Sequence, residues 1–544
     1  MSTTARSSAQ PDASVRTVDA LVVGAGFAGL YALHVLRGQG LDVHVVDGAS
    51  DVGGTWFWNR YPGARCDIES IYYSYSFDAD LAREWQWSEK YAGQPEILAY
   101  LQHVADRYDL RRDISFDTWV REARYDEGDD RWRVTTQDGA VVSARWLVLA
   151  VGLLSSTNLP DIPGRDDFAG PVLHTGRWPH EPVDLSGRRV GVIGTGSSGI
   201  QAIPRIAEQA EHLTVFQRTA NFSLPALNGA PDPDGVRRLI EDHAAVRDQV
   251  RRSSYGILLE PPTRGALEVA EEERLATYEE RWREGTLTGI LQAYNDLVRN
   301  QEANDTAADF VRSKIAEMVD DPQVAEDLMP RGYAYGTKRP CLDTGYFQTY
   351  NRDDVELVNL RRTPIERITE RGVRTSAGEH ELDVLVFATG YDAMTGPLLG
   401  IDPIGREGQR LGERWAEGPS SYLGIAVAGF PNMFTITGPG SPSALSNAVV
   451  SIEQHVEWLA RLLAHATETG LTVIEADCVA EKEWTQHVQN VGDATLYPQT
   501  DSWYMGANIP GKPRVFLPYI GGVGHYRALC EALADDGYSG FATA

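Results

Sequence analysis

At 544 residues the chain exceeds what one hydrophobic core holds, and about three domains or nested sub-domains are expected. Hydrophobic residues make up 42% and charged residues 23%, the balance of an ordinary water-soluble globular protein. The net charge of −27 repels phosphate backbones and argues against a nucleic-acid partner.

Four cysteines are present: Cys66, Cys341, Cys478 and Cys530. None forms a Cys-x-x-Cys pair, which removes chemistry that runs through a redox-active cysteine pair. Their spacing suggests no metal site. Packing thiols in a reducing cytoplasm are expected.

Residues 1–18 lack the apolar core of a signal peptide and read as a disordered tail. Asp19–Val23 then starts a strand. It feeds the turn Gly24-Ala-Gly26-Phe-Ala-Gly29, a helix, and a second strand ending at Asp47. Strand, glycine turn and helix form a dinucleotide fingerprint, in which glycines admit a pyrophosphate and the helix N-terminus faces its charge. Asp47 suits ribose hydroxyls and disfavours a phosphate there, so this site is expected to hold the adenosine half of FAD or NAD.

The loop Asp51–Ser70 is rich in glycine and aromatics and could close over a flat ring. It holds Gly54, Thr55, Trp56 and Asp67. A lone loop Asp reads first as a turn residue. Strands then fit ISFDTWVREARYD, RWRVTTQDG and AVVSARWLVLAVG, with Asp138-Gly139 as a hairpin turn. The last ends in Ala150-Val-Gly152, and a matching apolar run, DVLVFATGYD, recurs at Asp383–Asp392. Both read as buried strands whose ends meet a cofactor or cross between domains.

A second dinucleotide unit spans Arg189–Arg218, with Gly194, Gly196, Ser197, Ser198 and Gly199 in its turn. Where the first unit has Asp47, this one has Gln217-Arg218, followed by Thr219. An arginine exchanges a ribose acceptor for a phosphate clamp, so this site is expected to prefer NADP. Two such sites suggest an enzyme that passes electrons from one dinucleotide to another.

From Pro231 to about Pro330 the 3.6-residue pattern of amphipathic helices takes over. Lys338 and Arg339 then stand in tandem before Pro340. The strands DDVELVNL and GVRTSAGEHELDVLVFATGYD are expected to return toward the first domain. The uncharged run Pro419–Ile452 is broken by Gly-Pro turns and reads as buried strand plus loops rather than a membrane span. The helix VVSIEQHVEWLARLLAHATETG follows, and a last Gly-rich stretch carries Trp503. The histidines are not grouped as ligands.

Ahead of the second glycine turn, FAGPVLHTGRWP resembles the fingerprint of type I Baeyer–Villiger monooxygenases, through Phe168, Gly170, His174, Trp178 and Pro179. DVGGTW, RYPGARCD, GTKRP and ATGYD fit the same family in order. The resemblance covers nearly the whole chain. It is closest to the phenylacetone and steroid monooxygenases through GPGSPSALSN and SIEQHVEW, although Ala448 stands where a bulky residue is expected in the phenylacetone type.

That resemblance implies an α/β fold with two Rossmann-like domains, the NADP domain inserted in the FAD domain and a helical segment inserted in turn. The expected parts are an FAD domain at 19–155 and 383–544, an NADP domain at 156–225 and 333–382, and a helical insertion at 226–332. It implies tight FAD, NADPH as reductant, molecular oxygen, and a ketone turned to an ester or lactone through a peroxyflavin and a tetrahedral adduct. Arg339 then resembles the active-site arginine and Asp67 its orienting acid. Arg218 and Lys338 resemble 2′-phosphate binders, and Trp503 a contact on the nicotinamide side. His174 and Trp178 resemble residues that act through a domain-linking segment. The rival enzyme is a monooxygenase of sulfur or nitrogen, against which Trp178 argues; a rival of another class is a non-catalytic flavin/NADP sensor. The oligomeric state is open, and a monomer is compatible with the sequence.

Overall fold

The computed structural model describes residues 15–544. Strand β1 (Arg16–Val23) leads through a glycine turn into the helix Phe27–Gly38, and β2 (Val43–Val46) follows. After the aromatic loop and the helix Gln94–Arg107 come β3 (Ile114–Ser115), β4 (Val120–Asp126), β5 (Arg131–Thr136) and β6 (Val141–Leu149). The next strands are β7 (Val172–His174), β8 (Arg189–Ile193) and β9 (His212–Gln217). A short pair follows, β10 (Ser223–Pro225) and β11 (Cys341–Asp343), on either side of a helical segment. Then come β12 (Val355–Asn359), the hairpin strands β13 (Ile365–Thr369), β14 (Gly372–Thr375) and β15 (Gly378–Glu381), followed by β16 (Val384–Phe387), β17 (Met433–Thr435) and a small C-terminal pair, Ile474–Ala476 with Phe541–Thr543.

The first sheet has the order β3-β2-β1-β6-β5-β4, with β17 also paired to β6. The second has the order β12-β9-β8-β16-β7, and every pairing in it is parallel. The second sheet is built entirely from residues 172–387, between β6 and β17 of the first. One Rossmann-like unit is therefore inserted in the other. The buried strands β1 and β8 are near-continuous apolar runs, as parallel strands covered on both faces must be.

Several expectations are corrected by this topology. The tail was expected to reach residue 18, but β1 already begins at Arg16, because it pairs with β6 from Arg16 onward. Residues 1–14 lie outside the described residues. The return to the first domain was expected at 383, yet β16 lies between β8 and β7, so the chain leaves the second sheet only after Phe387. An apolar strand ending in glycine reads alike in either sheet. DDVELVNL stays in the second unit, within the 333–382 assigned to it: β12 is the edge of the second sheet, beside β9.

Between β10 and β11 the longer helices are Pro233–Glu241, His243–Arg252, Glu271–Glu284 and Gln301–Met318. The run Pro419–Ile452 folds as β17, turns and the start of the helix Ala448–Thr469. Among the described residues no helix is long and apolar enough to cross a membrane.

The two crossings between units touch. Thr157 bridges Tyr391 antiparallel, Asn158 N–H donates to the Gly390 carbonyl at 2.9 Å, and Asp392 N–H to the Ser156 carbonyl at 2.9 Å. Each crossing also starts against a glycine turn. Gly24 has φ +107°, and a Cβ there would stand 2.5 Å from the Ala150 carbonyl oxygen; Gly194 has φ +111°, with its Cβ 2.4 Å from the Ala388 oxygen. Both turns need glycine twice over, for the backbone angle and for the close approach. Gly24→Ala is therefore expected to cost about 2–3 kcal/mol and to lower the unfolding midpoint by several degrees. An unchanged midpoint would contradict this reading.

Candidate functional site

In the first unit the helix Phe27–Gly38 begins at Gly26 with no side-chain cap, so its first N–H groups are free. Asp47 ends β2 beside it. Its Oδ2 accepts from Ala25 N–H at 2.5 Å and its Oδ1 from Ala49 N–H at 2.7 Å. Burial pushes the Asp47 carboxyl up, and the two amides work against that. Each oxygen keeps a further lone pair for a ribose hydroxyl. Gly54 packs on the turn: a Cβ on it would stand 2.9 Å from the Gly26 Cα. Thr55 and Trp56 open the short helix behind it, Thr55–Trp58. This donor set fits the ribose and pyrophosphate of a dinucleotide without a 2′-phosphate.

The second turn repeats the first with other side chains. The helix Ser197–Ala207 also starts uncapped, at Gly196, and a Cβ on Gly196 would meet nothing within 4 Å. Ser197 Oγ lies 3.2 Å from Cys341 Sγ, Thr175 donates to Ser198 Oγ at 3.2 Å, and Thr195 donates to the Thr219 carbonyl at 3.1 Å. Gly199 closes the turn, buried in the helix.

Arg218 is exposed at the end of β9. Lys338 Nζ lies over the Tyr333 ring at 5.1 Å. Burial holds Lys338 below its ordinary value, and the Arg218 charge adds to this. A third cation, Arg361, which the sequence reading missed, follows β12 and donates from Nε to the Arg218 carbonyl at 3.1 Å. None of the three forms an ion pair among the described residues. Asp501, whose charge Lys338 feels, is paired with Arg514 at 3.1 Å. Three unpaired cations at one strand end fit a phosphate monoester.

Asp67 and Arg339 meet between the two units. Arg339 donates from Nε to Asp67 Oδ2 at 2.7 Å and from Nη2 to Oδ1 at 3.0 Å, a two-pronged fork. Its Nη1 donates to the Ala444 carbonyl at 3.1 Å. Three distant segments thus hold one guanidinium: the aromatic loop, the segment before β11, and the turn Pro442–Ala444. Burial disfavours the Arg339 charge, but Asp67 more than offsets it and Tyr504 adds to that, so the group stays cationic. The Tyr504 phenol is pushed up to about 12 by burial and stays protonated. Trp503 lies against Tyr504, ring centroids 4.2 Å apart. Neither Tyr504 nor Ala444 was anticipated: one is an aromatic among many, the other acts through its backbone.

The fingerprint residues stand away from this fork. Gly170 lies against β16, where a Cβ would be 2.5 Å from the Asp383 carbonyl. Phe168 is buried under the second sheet and Trp178 in the main core, with exposed Pro179 after it. His174 ends β7. Its Nδ1 accepts from Gly176 N–H at 3.0 Å, so its Nε2 carries the proton toward the Asn158 carbonyl at 3.3 Å. Thr389 donates to that same carbonyl at 2.5 Å. His174 therefore pins the point where the two crossings pair. From the C-terminal side, Lys512 holds Asp392 at 2.5 Å.

Three of the four thiols are buried. Burial pushes Cys341 and Cys530 up to about 12 and Cys66 well above its ordinary value. Among the described residues no group of three or more His, Cys, Asp and Glu is placed to hold a metal.

Residues 21–228 match the family model described as pyridine nucleotide-disulphide oxidoreductase. The match reflects the shared dinucleotide units, since all four cysteines are free. A Baeyer-Villiger monooxygenase of Pseudooceanicola batsensis is 45% identical, over 96% of this chain and 95% of its own. A phenazine N-monooxygenase of Lysobacter antibioticus is 44% identical over 96% of each. Among solved structures, an oxidized steroid monooxygenase bound to NADP superposes with a TM-score of 0.92 at 52% identity, covering 97% of this chain and 99% of that one.

The burial of the thiols gives a simple check. A disulfide reagent at pH 8 is expected to titrate one thiol rapidly in the native protein, the exposed Cys478, and all four after unfolding. Two or more fast thiols in the native state would contradict the packing described.

Proposed function

The chain belongs to the Baeyer–Villiger monooxygenase family, and we propose that its Asp67–Arg339 fork is the reaction centre. The enzyme uses NADPH and molecular oxygen to convert ketones to esters or lactones. FAD and NADP are its cofactors. The observation that carries the placement of the centre is the forked pair itself, a permanent cation held between the two nucleotide sites.

Bound FAD, once reduced by NADPH, supplies the activated oxygen. The rest falls to the chain. Gly24, Gly26, Gly29, Gly54, Thr55, Trp56 and Asp47 would hold the flavin dinucleotide. Gly194, Gly196, Ser197, Ser198, Gly199, Thr219, Arg218 and Lys338 would hold NADPH, with Trp503 as a contact on the nicotinamide side. Arg339 stabilises negative charge on the attacking oxygen and then on the former carbonyl oxygen of the ketone. A guanidinium suits this because it neither gives up its proton nor loses its aim while Asp67 grips it. Asp67 orients Arg339. His174 and Trp178 act through the paired crossings, which set one unit against the other. Ala448 opens the long helix; by the family resemblance, a small residue there would widen the ketone pocket. The four free thiols suit a reducing cytoplasm.

A second reading has one specific support, the phenazine N-monooxygenase relative. Offering purified enzyme NADPH with paired ketones, sulfides and N-heterocycles separates the two: ester or lactone as the main product supports the ketone reading, and N-oxide or sulfoxide alone overturns it.

Two variants test the roles. Arg339→Ala is expected to leave reduction of the flavin by NADPH within a few-fold of normal but to lower ester formation by about 10²–10³-fold. Undiminished ester formation would remove Arg339 from the mechanism. Arg218→Ala is expected to raise KM for NADPH roughly tenfold or more and to leave KM for NADH nearly unchanged. Equal effects on both cofactors would show that Arg218 does not read the phosphate.

A further inference from the structure

Trp119 is 41% exposed and stands outside every hydrophobic cluster of the described residues. An indole left in water needs a reason other than core packing. Its inner face lies on Gly48, where a Cβ would come within 2.3 Å of the ring. Gly48 directly follows Asp47. The backbone ties the same two segments together, Thr118 N–H to the Asp47 carbonyl and Asp117 N–H to the Ala49 carbonyl, each at 2.8 Å. Trp119 thus sits at the ribose end of the first nucleotide site.

Trp58 stands next to it, ring centroids 6.2 Å apart. It ends the short helix that Gly54 packs onto the glycine turn. The guanidinium of Arg177 covers both indoles, 4.8 Å from the Trp58 centroid and 5.7 Å from the Trp119 centroid. Arg177 comes from the other unit: it closes the one-turn helix Thr175–Arg177 between the fingerprint residues His174 and Trp178. In a chain with 77 acidic and 50 basic residues, Arg177 forms no ion pair among the described residues. Its partners are aromatic faces. His180 adds a second contact in the same direction, 4.6 Å from the Phe57 ring centroid.

We propose that Trp58, Trp119 and Arg177 form a clasp over the adenosine end of the FAD site, so that retention of FAD depends on the second unit being docked. The proposal rests on the reading of Asp47 as the ribose acid. Arg177 is a positioning residue: it touches neither substrate nor reacting atoms, and it fixes two indoles by cation–π contact. Without it Trp119 has no partner on its outer face and the adenosine mouth loosens.

The test uses the FAD-loaded enzyme and follows flavin fluorescence as FAD dissociates into dilute buffer. Arg177→Gln and Trp119→Ala are each expected to speed release about fivefold, the size of one exposed cation–π contact. The double variant is expected to be no faster than either single one, because the two residues act as one unit. Arg177→Lys, which keeps the cation, is expected to restore most of the retention. All are surface changes, and an unchanged unfolding midpoint of the apoprotein separates a clasp from a general loss of stability. Asp47→Asn serves as the reference. If Asp47→Asn speeds release and Arg177→Gln does not, the clasp is overturned and the site reading stands. If Asp47→Asn has no effect, the adenosine end lies elsewhere and the clasp falls with that reading. Effects of Arg177→Gln and Trp119→Ala that multiply in the double variant would also overturn it.

Discussion

The proposed reaction centre depends on one forked ion pair. Asp67 lies in a glycine- and aromatic-rich loop of the first unit, and Arg339 precedes β11 on the far side of the helical segment. A half-buried guanidinium loses hydration, and only a well-aimed carboxylate makes up for it. Because Asp67 occupies Nε and Nη2 and the Ala444 carbonyl occupies Nη1, the cation has one orientation. The pair works only when three segments from different parts of the chain are in place at once. That requirement is why the proposed centre lies at a junction rather than inside either nucleotide unit.

The junction is governed by the two crossings. Each leaves its sheet at an alanine packed against a glycine turn, Ala150 on Gly24 and Ala388 on Gly194. The crossings then pair with each other, and His174 and Thr389 share the Asn158 carbonyl at that point. A rotation of the second unit must therefore act on both nucleotide turns and on the fingerprint segment together. This is the physical basis for the role proposed for the fingerprint residues. The Arg177–Trp58–Trp119 stack extends the same coupling to the outer end of the first site.

Much of this was legible in the sequence, for local reasons. Strand, glycine turn, helix and terminal Asp or Arg are fixed by short-range sterics and charge, so the contrast between Asp47 and Arg218 could be read directly. Asp67 could not be read from its own neighbourhood, since a loop Asp usually serves a turn; its role required a partner brought in by the fold and was reached only through family resemblance. Arg361 was silent for a similar reason: nothing in the sequence distinguishes it from Arg362, yet β12 beside β9 sends one to the Arg218 carbonyl and the other to Asp327. The domain boundary at 383 failed because a buried parallel strand carries no mark of which sheet it joins. Trp119 gave no signal, because its three partners come from segments far apart in the chain.

The measurement that tests the central claim most directly is a single turnover of the purified yellow protein. The enzyme is reduced with one equivalent of NADPH without air, then mixed with isotopically labelled oxygen and a ketone. The account predicts one ester or lactone per NADPH, carrying one labelled oxygen atom. NADPH consumed with hydrogen peroxide as the only oxygen product, across a panel of aryl, cyclic and steroidal ketones, would contradict it.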